Sequence, residues 1–104
     1  NVAERAYDAE QFANRRAECF WGLRQRFQER DIALIGDPME LEELAADLTC
    51  LRLPPPNSRG QIVLESKDKT KASLGRSPDR ADALMLAFAH EDAPAFDVAA
   101  VISV

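Results

Sequence analysis

The chain reads as an α/β fold in which helices pack on a small mixed sheet with a β-hairpin, and three observations carry that reading. Apolar residues recur at helical spacing in three segments, about 8–29, 38–48 and 78–90. Two short runs, Thr49-Cys50-Leu51-Arg52-Leu53 and Gln61-Ile62-Val63-Leu64-Glu65, have strand composition and flank a proline-rich turn. At 104 residues, 46% hydrophobic and 30% charged, the sequence can bury one modest core, so 1–104 is expected to form a single domain.

The first element is expected from about Asp8 to Glu29. Phe12, Phe20, Leu23 and Phe27, with Ala13, Ala17 and Trp21 alongside, make a broad apolar stripe that Gly22 alone interrupts. A stripe of this kind is core packing rather than a stacking platform for bases. Asp31-Ile32-Ala33-Leu34-Ile35-Gly36 suits a short strand or an extended connector.

Asp37-Pro38-Met39-Glu40 then opens a second helix. Asp37 caps it, Pro38 takes the first helical position, and Glu40 stands where a capping box places its carboxylate. Leu41, Leu44, Ala45 and Leu48 form its buried stripe, and Glu42, Glu43 and Asp47 are read as facing water. The strand at 49–53 is stopped by Pro54-Pro55-Pro56, which cannot donate ladder hydrogen bonds, and Asn57-Ser58-Arg59-Gly60 turns the chain into the strand at 61–65. The two strands are expected to pair as a hairpin with a long loop. Residues 66–76, holding Lys67, Lys69, Lys71 and Arg76, read as a basic linker.

Ser77 is a good N-cap and Pro78 a good first residue for a helix at about 78–90. Ala81, Leu84, Met85 and Phe88 form its buried face, and Asp79 and Asp82 lie one turn apart on the adjoining edge. The free N–H groups and dipole of a first helical turn favour negative charge, and a pair of hard oxygen donors suits Mg²⁺ or Mn²⁺. Acids in a first turn also serve helix stability alone. His90, near the helix C-terminus, suits the helix dipole, and after a loop at 91–95 the apolar tail 96–104 can add an edge strand, contact another chain or hang free.

No run reaches the roughly 18 apolar residues that a membrane span requires, and the first residues carry no signal-peptide pattern. A cytoplasmic location without membrane contact is therefore expected. Cys19 and Cys50 are far apart, form no CxxC and accompany one histidine, so free buried thiols are expected rather than zinc. The net charge of −5 is unevenly spread: residues 31–50 hold six acids and no Lys or Arg, whereas 51–80 hold seven Lys or Arg against three acids. A local basic stretch leading into an acidic helix can draw a phosphate backbone, or can be a solvated surface.

Ser77-Pro78-Asp79-Arg80-Ala81-Asp82-Ala83-Leu84 resembles the closing motif of the nuclease domain in large terminase subunits of tailed bacteriophages. Glu65-Ser66-Lys67, a basic linker and a glycine precede it, as in that family, and Asn14-Arg15-Arg16-Ala17-Glu18 resembles a helix of the same domain. The acid-x-x-acid-Ala-Leu arrangement is similar to that of Holliday-junction resolvases in the same ribonuclease-H-like superfamily.

The resemblance spans most of 1–90 and is strongest at 61–88. It implies a partial ribonuclease-H-like fold, with Asp79 and Asp82 as catalytic metal ligands for Mg²⁺ or Mn²⁺ and Lys67, Lys69, Lys71 and Arg76 contacting DNA. The implied parent cleaves concatemeric double-stranded DNA by two-metal phosphodiester hydrolysis during genome packaging in a bacterial host. Its implied partners are the ATPase domain and N-terminal nuclease segment of the large subunit, the small terminase and the portal.

The departures matter equally. The family's first two acids precede the region that matches residues 1–30, and no Gly-rich phosphate loop is present, so no motor activity belongs to this chain. With only the last acidic element, the chain alone is expected to be inactive, and an exposed sheet edge would favour self-association. The alternative is a stand-alone protein- or DNA-binding module without catalysis.

Overall fold

The structure, a computed structural model, describes residues 5–90 and 96–98. The expected loop at 91–95, the tail beyond Val98, the first four residues and the side chains of His90 and Phe96 lie outside the described residues. The order is α1 (Arg15–Glu29), β1 (Leu34–Ile35), α2 (Pro38–Thr49), α3 (Lys67–Leu74), α4 (Asp79–His90) and β2 (Phe96–Asp97). This is an α/β-type fold dominated by its four helices, with α4 packed against both α1 and α2.

α1 begins later than its apolar stripe suggests. Asn14 caps it by accepting from Ala17 N at 2.8 Å, and Glu18 reaches back to accept from Tyr7 N and Asp8 N, so the preceding chain turns instead of coiling. Phe12 therefore sits outside the helix, in a parallel bridge with Ile62 and against Trp21 with ring centroids 6.4 Å apart. Arg30 ends the helix in the left-handed conformation at φ 58°.

α2 forms as its local signals dictate: Asp37 accepts from Glu40 N at 2.9 Å, and Glu40 accepts from Asp37 N at 3.3 Å, completing the capping box. The expected hairpin is absent among the described residues. Thr49 belongs to α2, and one backbone bond, Glu65 N to Arg52 O at 2.9 Å, joins the two expected strands. Cys50 N and Leu51 N donate back to the end of α2, the three prolines that follow the first run have no N–H to pair, and Asn57 closes a tight loop by accepting from Arg59 N and Gln61 N. Ile62 pairs instead with the segment before α1, donating to Gln11 O at 2.7 Å while accepting from Ala13 N.

The sheet is likewise smaller than a mixed sheet. Among the described residues it is one parallel pair, Leu34 opposite Phe96 and Ile35 opposite Asp97. Val98 follows and is fully buried, its N–H donating to Ile35 O at 2.7 Å. A Cβ on Gly36 would lie 3.2 Å from that of Val98, so the glycine allows this close approach.

Phe20 and Leu23 from α1, Leu44 from α2, Ala81, Leu84 and Met85 from α4, and Val98 make one buried cluster. Fully burying a leucine contributes about 1.5–3 kcal/mol. Because α4 supplies three members of the cluster, its rotation, and with it the direction of its first-turn acids, is set by packing.

Candidate functional site

The basic linker is a helix. Ser66 caps α3 by accepting from Lys69 N at 3.3 Å, and Gly75, at φ 84°, closes it by donating to Lys71 O. Lys67, Lys69 and Lys71 are all exposed on this short helix. A serine directly before a helix-compatible run, with a glycine after it, was the available signal.

α4 starts one residue later than the Ser77 cap implies, and a distant side chain serves its N-terminus. Asp47 of α2 is fully buried and accepts from Arg80 N at 3.0 Å and Ala81 N at 3.3 Å through the same oxygen. Its other oxygen pairs with the Arg76 guanidinium. The expectation that Asp47 faces water is thus corrected: α4 lays its unsatisfied N–H groups over α2, and a carboxylate is the acceptor such a helix start favours. Glu43 does reach the surface, where it pairs with Arg80. Arg76, expected at DNA, is engaged with Asp47 and also donates to Ser77 O at 3.5 Å.

Asp79 is exposed, and its side chain makes no hydrogen bond or ion pair among the described residues. Asp82 differs, with 23% of its side chain exposed and two cations beside it. Arg16 Nη1 donates to Asp82 Oδ1 at 2.8 Å, and Lys67 Nζ stands 3.9 Å from Oδ2. Arg16 is buried from solvent, with its guanidinium 4.8 Å from the Phe20 ring centre. Arg16 thus ties α1 to the first turn of α4.

Arg15 anchors the start of α1 from another side, donating to Glu18 Oε1 at 2.7 Å and lying 3.9 Å from the Tyr7 ring centre. Burial pushes the Glu18 carboxyl up, but the N–H groups of Asp8 and Tyr7 and the Arg15 guanidinium outweigh it and hold it below the usual 4.5. Burial likewise opposes the charge on Arg15, and the bond to Glu18 together with the nearby Cys19, Tyr7 and Glu18 groups outweighs it and raises the Arg15 pKa. A carboxyl depressed on folding adds stability that is complete above its unfolded value and is lost as pH falls through its folded one. Urea unfolding of the wild type between about pH 7 and pH 3 should therefore show a loss of stability below roughly pH 4.5 that Glu18→Gln lacks; parallel profiles would refute this.

Cys19 and Cys50 are free thiols of intermediate burial. Burial pushes the Cys19 thiol up, with Arg15 opposing and Glu18 reinforcing the shift, which suits a structural thiol rather than a nucleophile. Among the described residues no three His, Cys, Asp or Glu side chains gather as a metal cage. Asp79 and Asp82 offer two donor groups, and the charge of Asp82 already meets Arg16 and Lys67. As they stand, these residues do not fit a divalent ion well.

An open apolar groove of about 370 Å³ runs along α1 and the end of α2, with Trp21, Phe27, Leu48, Leu51 and Leu64 among its walls and Arg24 at its rim. No described helix is long and apolar enough to cross a membrane. No known protein family, curated protein or solved structure matches this chain.

Proposed function

We propose that the chain is the C-terminal part of a nuclease domain of the terminase large-subunit type, a partial ribonuclease-H-like fold whose other strands and acids come from preceding sequence in the parent. One observation carries the reading. The two separated pieces of the resemblance meet in space, with Lys67 of Glu65-Ser66-Lys67 standing 3.9 Å from Asp82 of the Ser77–Asp82 string. In the parent, Asp79 and Asp82 serve as ligands to Mg²⁺ or Mn²⁺, and the exposed lysines of α3 face the phosphates of double-stranded DNA. The parent cuts concatemeric DNA during genome packaging in the bacterial cytoplasm, beside its ATPase domain, the small terminase and the portal. By itself the chain does not cut.

A second reading, a binding module without catalysis, draws support from the basic α3 and the open apolar groove. One experiment separates the two. With supercoiled plasmid and Mg²⁺ or Mn²⁺, the intact nuclease should lose cleavage in both Asp79→Asn and Asp82→Asn, while the isolated chain nicks nothing. Full cleavage in both variants would overturn the nuclease assignment of these acids. Metal-independent duplex binding, with no cleavage by either form, would place the binding module first.

A further inference from the structure

Two carboxylates at a helix start are the raw material of a cation site, yet the more buried of them is already committed. Arg16 donates to Asp82 Oδ1 at 2.8 Å from a side chain only 9% exposed. Its second terminal nitrogen, Nη2, is buried with no hydrogen-bond partner, so Asp82 is the one carboxylate paired with this guanidinium among the described residues. The Phe20 ring beneath it is a weaker, uncharged contact. Lys67, by contrast, is 63% exposed and stands 3.9 Å from the other oxygen, where it can withdraw into water at little cost.

We infer that Arg16 is a built-in counter-cation that latches Asp82, suppressing divalent-cation binding at Asp79 and Asp82 in this chain. The inference rests on the nuclease reading of those acids. Two costs act together. A divalent ion at Asp82 would meet the repulsion of a fixed neighbouring charge, and any withdrawal of Asp82 toward the ion would leave a buried guanidinium uncompensated. Lys67 adds repulsion but not the second cost, so Arg16 is the stronger half of the latch. Arg16 here is a positioning residue, acting through Asp82 rather than on a substrate. The site becomes competent for a cation when another anion satisfies Arg16 or when its charge is removed.

The test is calorimetric titration with MnCl₂ of the wild type, Arg16→Met and Arg16→Gln, each with and without Asp82→Asn, with circular dichroism to confirm folding. Methionine keeps an unbranched apolar stem and no donor, whereas glutamine keeps an N–H donor without the charge, so the pair separates packing from hydrogen bonding. Both single variants should bind Mn²⁺ about tenfold or more tightly than the wild type, the scale of removing one adjacent charge at a partly exposed site, and Asp82→Asn should erase the gain. Should both variants fail to fold, the guanidinium NMR signals of Arg16 in the wild type decide: they should shift as Mg²⁺ saturates the chain. Equal Mn²⁺ affinity in wild type and variants, with binding still dependent on Asp82, would overturn the latch and leave the metal reading standing. Arg16 signals unmoved at Mg²⁺ saturation would do the same. Absence of binding in every form would overturn both.

Discussion

Asp47→Ala should destabilise the fold by about 3–5 kcal/mol, the scale of breaking a buried charged pair by removing one partner. Asp47 is fully buried and joins three donors: the N–H groups of Arg80 and Ala81 and the guanidinium of Arg76. Arg76 is 40% exposed and can turn to water, but Ala81 is fully buried, so its N–H would be left without an acceptor. A domain at the low end of the usual ~5–15 kcal/mol of stability would then be close to unfolding at room temperature. Asp47→Asn, which keeps the shape and one acceptor oxygen, should fall between the two, and Arg76→Ala should cost less than either because the helix start stays capped. Urea unfolding midpoints give the ranking. A loss under about 1 kcal/mol in Asp47→Ala would show that α4 does not depend on its borrowed cap.

That dependence marks where reading the chain locally succeeds and where it stops. The capping box of Asp37 and Glu40 acts within one turn, so its signal is contiguous and the helix follows from it. The buried face of α4, with Ala81, Leu84 and Met85 in the core, follows equally from helical spacing. Asp47 sits beside the apolar stripe of α2, and spacing alone assigns it to water. Its partners lie on α4 and the turn before it, separated along the chain by the proline loop and α3. Arg16 is a similar case, a cation whose burial is caused by an acid most of the chain away. The hairpin failed for another reason: composition marked two runs as extended, but pairing is a tertiary choice, and Ile62 found Gln11 and Ala13 instead.

The two acids of the candidate site should part company in stability as they do in structure. Asp82→Ala removes the carboxylate partner of a buried guanidinium whose Nη2 is already unpartnered, and should cost about 3 kcal/mol, the low end for a broken buried pair because Asp82 is itself 23% exposed. Asp79→Ala removes an exposed first-turn acid with no side-chain partner among the described residues, and should cost under about 1 kcal/mol, the helix-dipole contribution alone. Combining Asp82→Ala with Arg16→Met should recover much of the loss, since the buried charge then disappears with its partner; a purely additive double variant would refute the coupling. The asymmetry determines how activity is to be interpreted. An inactive Asp82 variant can reflect a loosened junction between α1 and α4 as well as a lost ligand, and only its unfolding curve separates the two. Asp79, free of structural duty, is the residue whose substitution isolates chemistry: loss of cation binding there with an unchanged unfolding midpoint has no structural explanation to compete with it.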